Sequence, residues 1–309
     1  MRTEGCAEIM GRLPDFVIIG AQKAGTTWLG ARLAEQAEIF LPRPFEVHYF
    51  DRNDNFAKGR EWYAAHFAAA PPEALVGEKT PDYLWTDRPP GRGPNNIPKR
   101  MYAAVPEARL IVALRDPVAR AISALNHRVR ARRLSPYVNP DAAFLEAMDP
   151  ARDGYGLIGR GKYLLHLKRF LEFFPRDRIH IVCFEDDIVA SPQATIESMM
   201  KFLGRPSVPM KPRARPENKG MNSRFCQFLN YYLPRMSPLL SVLDRALPNA
   251  PGLVPSAAMR ARLQDYYAPH NEALFQFLGR DVSQAWRGTA AARAPATPNV
   301  RSTSEQRYG

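Results

Sequence analysis

Residues 20–27 read Gly20-Ala21-Gln22-Lys23-Ala24-Gly25-Thr26-Thr27, a glycine-bounded loop holding a single cation and ending on paired hydroxyls. The apolar run Phe16-Val17-Ile18-Ile19 precedes it and Trp28-Leu29 follows. A short β-branched run suits a buried strand of a parallel sheet, and Thr26 and Thr27 stand where a helix opens. The unpaired amides of a first helical turn, with the positive end of its dipole, converge on a phosphate. Gly20 and Gly25 permit the backbone angles and close ligand approach that this requires. The residues expected to hold the phosphate are Lys23, Ala24, Gly25, Thr26, Thr27 and Trp28. A nucleoside-triphosphate loop places Lys directly after the second glycine, then a Ser or Thr that holds Mg²⁺. Here Thr26 occupies the lysine's place. Lys23 lies inside the loop, where it faces the 5′ end of a shorter ligand with one phosphate and something beyond it.

Further along, Arg109 to Leu114 is a strongly apolar strand followed by Arg115-Asp116-Pro117 and a helix over Val118 to Arg133. Arg115 at the strand's carboxyl end and Ser123 two turns into the helix make a receptor for a terminal phosphate. Arg120 either joins them or lies on the surface. Glu46 and His48 are two apart, so in an extended segment they share a face. Such a pair takes the proton from a hydroxyl, or is an ordinary surface pair. Leu75-Val76-Gly77 is a short strand running into Glu78-Lys79-Thr80-Pro81-Asp82-Tyr83. Ligands of open parallel sheets collect beyond the carboxyl ends of strands. Lys79 there offsets charge on a transferred group or an acidic acceptor, or is a solvated lysine on a Thr-Pro turn.

Taken together, these segments resemble the sulfotransferases that use 3′-phosphoadenosine 5′-phosphosulfate (PAPS). The Gln-Lys-x-Gly-Thr-Thr loop is similar to their 5′-phosphate loop, and Leu-Arg-Asp-Pro-x-x-Arg-Ala-x-Ser to their 3′-phosphate motif. Glu46-Val47-His48-Tyr49-Phe50-Asp51 and Glu-Lys-Thr-Pro-x-Tyr resemble segments of the heparan sulfate and carbohydrate type. The resemblance spans about residues 14–286. It implies an α/β domain of the P-loop kinase-like type, with a central parallel β-sheet flanked by helices. It implies transfer of a sulfuryl group to a hydroxyl, less readily an amine, of a carbohydrate-like, glycolipid or small-molecule acceptor, with adenosine 3′,5′-bisphosphate as product and no metal. Implied roles are Glu46 as base, His48 orienting the acceptor or supporting Glu46, Lys23 on the bridging oxygen and Lys79 facing the incoming group. Arg115 and Ser123 would hold the 3′-phosphate, and Lys219, Gly220 and Arg224 would close over the adenine and that phosphate. Tyr163 packs beside the cofactor or in the core. Phe45 is a departure, because those enzymes carry Lys directly before the Glu.

The chain has 309 residues, 45% of them hydrophobic, with 43 basic against 31 acidic side chains and a formal charge of +12. The length fits one domain, expected at 14–287, with an extension at 1–13 and a disordered tail at 288–309. The basic balance favours anionic partners. Glu185-Asp186-Asp187 read as turn and capping residues rather than a metal cluster, and residues 86–100 as a loop rimming the site. The three cysteines form neither a disulfide framework nor a zinc spacing. No run resembles a signal peptide or a membrane span, so the expected compartment is the cytoplasm. Two other classes remain open: a P-loop kinase or NTPase, and a non-catalytic basic protein that binds nucleic acid. The acceptor and the oligomeric state are not readable from the residues.

Overall fold

The computed structural model describes residues 11–43, 45–211, 223–233, 235, 237–244, 247 and 251–286. The tail at 288–309, most of the extension at 1–13, and Lys219 and Gly220 lie outside the described residues.

Five parallel strands form the central sheet: β1 (Phe16–Gly20), β2 (Ile39–Phe40), β3 (Leu75–Lys79), β4 (Arg109–Leu114) and β5 (Ile179–Cys183), in the order β2-β3-β1-β4-β5. Every residue of β1 is buried, which accounts for its apolar run without polar alternation. Phe16 pairs with Gly77 on one side and Arg109 on the other. The strand order reverses between β1 and β4, and a crevice opens at such a point beyond the carboxyl ends.

The helices follow in chain order: α1 (Thr26–Leu33), α2 (Asn53–Phe56), α3 (Gly59–Ala65), α4 (Ile97–Ala104), α5 (Pro117–Arg130), α6 (Pro140–Ala147), α7 (Tyr163–Leu171), α8 (Pro192–Leu203), α9 (Arg224–Tyr232), α10 (Ser237–Leu243) and α11 (Ala257–Leu278). Aliphatic and aromatic residues of the sheet and its flanking helices form one core cluster; a second joins α5, α6 and α11 through Leu125, Phe144, Leu263 and Tyr267. Among the described residues no helix is long and apolar enough to cross a membrane.

Local chemistry explains the boundaries that matter for the site. Asp116 accepts from the amides of Val118 (3.2 Å) and Ala119 (3.1 Å), and Pro117 opens α5. The Arg-Asp-Pro run is therefore a strand end, a cap and a helix start. α1 ends at Leu33, where tight turns from the Glu35 amide to the Arg32 carbonyl and from the Gln36 amide to the Leu33 carbonyl unwind the chain. The 86–100 segment is no free rim. Arg88 is buried and donates to the carbonyls of Trp85 (3.0 Å) and Asp82 (2.7 Å).

Candidate active site

The loop after β1 enters α1 through Gly25, which has φ 95° as the N-cap residue. A Cβ there would lie 2.8 Å from the Phe184 ring, so the position demands glycine both for its angle and for its neighbour. The first intrahelical bond runs from the Leu29 amide to the Gly25 carbonyl at 3.0 Å. The amides ahead of it, through Thr26, Thr27 and Trp28, are the donors a helix start leaves over. Ala24 does not belong with them. Its amide turns inward to the Ala21 carbonyl at 3.1 Å and its side chain is buried, so it shapes the loop without facing a ligand.

Lys23 sits at φ 68°, half-buried, among cations. Burial, and then Arg130 and Arg115, push its ammonium down to about 8, while Glu46 works in the opposite direction. Burial and the charges of Lys23, Arg128 and Arg130 push His127 down to about 4. Lys23 among Arg115, Arg128 and Arg130, beside a neutral His127, describes a place built for an anion. Residues Ser123, His127 and Arg130 fall at i, i+4 and i+7 of α5, one helix face. That spacing was present in the sequence, and reasoning confined to Ser123 missed the other two.

Arg115 stands just past β4, as expected. Its Nη1 donates to the Lys23 carbonyl at 3.0 Å, its guanidinium lies 4.5 Å from the Phe184 ring centre, and its own carbonyl accepts from the Tyr163 hydroxyl at 2.8 Å. Tyr163 is thus a core residue that fixes Arg115 through the backbone. Arg120 is neither partner nor surface residue. It is fully buried and donates to the carbonyls of Gly156 and Leu157. Arg224 begins α9 at some remove in sequence, and Lys219 and Gly220 are among the residues not described.

On the other side of Lys23, Glu46 and His48 meet, though not as an extended strand would bring them. His48 has φ 56°, and its Nε2 comes within 3.5 Å of Glu46 Oε2. Glu46 Oε1 accepts from Lys79 Nζ at 2.6 Å. Lys79 therefore lies against the carboxylate rather than reaching alone toward an incoming group. Burial alone would raise the Glu46 carboxyl; hydrogen bonds from His48 and Lys79 and their charges outweigh it and hold the group low. Burial likewise opposes charge on His48, but hydrogen bonds to Asp51 (3.1 Å) and Glu46 push its imidazole up to about 9. At neutral pH His48 is an imidazolium and no base. Glu46 is ionised.

The strand alternation of β3 divides the Glu-Lys-Thr run between two jobs. Lys79 reaches Glu46, its stem passing 3.1 Å from where a Gly30 Cβ would stand. Glu78, facing the other way, is fully buried and accepts from the hydroxyls of Tyr63, Thr80 (2.7 Å) and Tyr83 (2.7 Å). Thr80 and Tyr83 in turn accept from the amides of His48 (3.4 Å) and Tyr49 (2.8 Å). The sequence motif points to Lys79 and gives no sign of this network.

Among the described residues, His48, Asp51 and Asp82 bring donor atoms within 4.8 Å of one another, as metal ligands do. Their bonding is already taken up. Asp51 pairs with His48 and Arg88, and Asp82 pairs with Arg160. Asp186 and Asp187 pair with Arg280, and Asp187 also accepts from the Cys183 amide at 2.6 Å. The acidic triplet serves turns and ion pairs, as expected.

Comparison with known proteins places this geometry in a class. Residues 13–218 match the family model described as sulfotransferase domain. Heparan sulfate glucosamine 3-O-sulfotransferase 5 of Mus musculus is 26% identical over 285 residues, covering 89% of this chain and 75% of that protein. A bifunctional heparan sulfate N-deacetylase/N-sulfotransferase 1 of Caenorhabditis elegans is 26% identical over 87% of this chain and 30% of its own length. The crystal structure of a sulfotransferase from Alicyclobacillus acidocaldarius superposes with a TM-score of 0.64 at 23% identity, covering 89% of this chain and 99% of that one. The chain belongs to the sulfotransferase family and is an enzyme of its PAPS-dependent kind.

Proposed function

We propose that this enzyme transfers the sulfuryl group of PAPS to a hydroxyl of an acidic carbohydrate, with Glu46 as the general base. The observation that carries the reading is the ionised Glu46 carboxylate, held between Lys79 and the His48 imidazolium, within the field of Lys23 in the phosphate loop. The residues present fit the donor. Cations crowd around Lys23, and a Cβ at Gly25 would strike Phe184 in the cradle wall.

Bound PAPS supplies an activated sulfur whose bond to the 5′-phosphate oxygen breaks as the acceptor oxygen attacks. The amides of Thr26, Thr27 and Trp28 hold the 5′-phosphate, and the Lys23 ammonium neutralises the charge that develops on its bridging oxygen. Glu46 takes the acceptor's proton. Lys79 and His48 keep that carboxylate aimed. Arg115 and Ser123 receive the 3′-phosphate. Most of the catalysis is positioning and charge stabilisation, as in phosphoryl transfer.

The acceptor class follows from charge and from kinship. Arg130 and Arg128 add positive charge around Lys23 and Arg115, which suits anionic ligands and so an acceptor bearing carboxylate or sulfate groups. Relatives named for heparan sulfate act on such a carbohydrate by name. The test is release of adenosine 3′,5′-bisphosphate from PAPS with neutral, acidic and amino-bearing oligosaccharides. Turnover is expected with the acidic hydroxyl acceptors. Turnover confined to neutral or amine acceptors would overturn the acceptor reading, and full activity of Glu46→Gln would remove the base.

A further inference from the structure

We infer that Glu185 is a positioning residue for Arg115, and that binding of the donor's 3′-phosphate is coupled to protonation of the Glu185 carboxylate. The inference rests on the reading that Arg115 receives that phosphate.

Strands β4 and β5 are neighbours in register, Leu114 opposite Cys183, so the residues that leave them emerge side by side. Arg115 follows one strand directly. Phe184 and Glu185 follow the other as the start of a π-helical turn at Phe184–Val189. Phe184 lies under the guanidinium, and Glu185 Oε1 stands 3.8 Å from Arg115 Nε while accepting from the Asp116 amide at 3.4 Å. Glu185 thus faces the Nε edge of the guanidinium at ion-pair distance, while Nη1 is held by the Lys23 carbonyl. This arrangement ties the 3′-phosphate receptor to the 5′-phosphate loop.

Glu185 is buried, and its Oε2 has no hydrogen-bond partner among the described residues. The ionisable groups facing it are Arg115 and Asp116 from the β4–α5 junction, Tyr163 from α7 and Cys183 from β5. Two carboxylates thus share one guanidinium. Burial pushes the Glu185 carboxyl up to about 7, with its own backbone amide, Arg115 and the Asp116 amide working against the rise. A phosphate dianion placed on Arg115 adds negative charge beside a carboxylate already near its limit, so the carboxylate takes up a proton.

The test is calorimetric titration of the full chain at about pH 7.5 in buffers of differing ionisation enthalpy, comparing adenosine 3′,5′-bisphosphate with adenosine 5′-monophosphate. Both ligands set a 5′-phosphate at Lys23, so the difference reports what the 3′-phosphate adds, and the Glu185→Gln comparison assigns it. The wild type is expected to take up roughly half a proton more with the bisphosphate, and its bisphosphate affinity to fall as pH rises beyond neutrality. In Glu185→Gln the extra uptake disappears and the affinity difference becomes flat in pH. A bisphosphate preference without extra uptake, or uptake that persists in Glu185→Gln, overturns the inference and leaves the Arg115 assignment intact. No preference for the 3′-phosphate overturns that assignment and the inference with it. Should Glu185→Gln fail to fold, Glu185→Asp, which withdraws the acid by one methylene, must lower the uptake.

Discussion

The donor cradle and the acceptor side of this site are built in opposite ways. The cradle is a run of neighbouring residues, Gly20 to Trp28, whose ligand-binding groups are mainly backbone amides aimed by a strand, a turn and a helix start. The acceptor side gathers Glu46, His48, Asp51, Lys79, Asp82, Arg88 and Arg160 from separate parts of the chain into alternating charges. A backbone site tolerates most side-chain changes, so its sensitive positions are glycines and Lys23. A side-chain relay depends on every member, since removing one leaves its partner buried and unpaired. The acceptor side should therefore be the more fragile half.

The largest effects test that contrast at its two centres. Glu46→Gln is expected to lower kcat by about 10²–10⁴ with little change in bisphosphate affinity, because it removes the base and leaves the cradle whole. Lys23→Ala is expected to lower kcat by about 10²–10³. Steady-state rates alongside bisphosphate titrations check both. Near-normal turnover of Lys23→Ala would show that backbone amides alone carry the leaving phosphate.

The two halves also titrate separately. His48 is charged up to about pH 9 and Lys23 up to about pH 8 in the free enzyme. The kcat/KM profile should then fall on its alkaline side in two steps, the first moving upward in kcat when bound donor stabilises the Lys23 charge. In acid the rate falls as the depressed Glu46 carboxyl takes up its proton. The His48 contribution to stability is fully present below 6.5, the value for an unperturbed histidine, and is lost as pH rises through about 9. Thermal unfolding across that window checks the sign, and His48→Gln should flatten it.

A smaller effect belongs to the layer beneath the relay. Tyr83→Phe removes the acceptor for the Tyr49 amide and a donor to Glu78, and is expected to cost about 1–3 kcal/mol of stability, with a severalfold loss of kcat as the Glu46–His48 turn loosens. Chemical denaturation and rates measured together check it.

The layer also marks how far the sequence could be read. The strand, loop and helix start lie within short spans whose geometry follows from residue type, so β1, the Gly25 turn, β4 and the start of α5 could all be anticipated. The Ser123–His127–Arg130 face of α5 was available as a helical spacing. The relay was not, because Asp51, Asp82, Arg88 and Arg160 have no fixed sequence spacing that brings them together; spacing offered Glu46, His48 and Lys79 only beside ordinary surface readings, and the resemblance chose between them. The left-handed turn at His48 had no sequence signal, since the residue is not glycine. Ala24 looked like part of the cradle because its neighbours are, and only the direction of its amide separates it.

The mildest test lies where the two halves touch. Gly30 is inside α1, on the cradle side, and an added Cβ would stand 3.1 Å from Lys79 Cδ. Replacing a mid-helix glycine by alanine favours the helix by about 1 kcal/mol. The contact with the lysine stem is tight enough to move the stem by a few tenths of an ångström, offsetting part of that gain. Gly30→Ala is therefore expected to leave stability within about 1 kcal/mol of the wild type. Its consequence should appear on the acceptor side, because a displaced Lys79 lengthens the 2.6 Å bond that aims Glu46. A severalfold fall in kcat with unchanged bisphosphate affinity is the expected result, measured by the same assays. If kcat holds while bisphosphate binding weakens, the helix transmits the change to the phosphate amides instead, and the two halves are less separate than their construction implies.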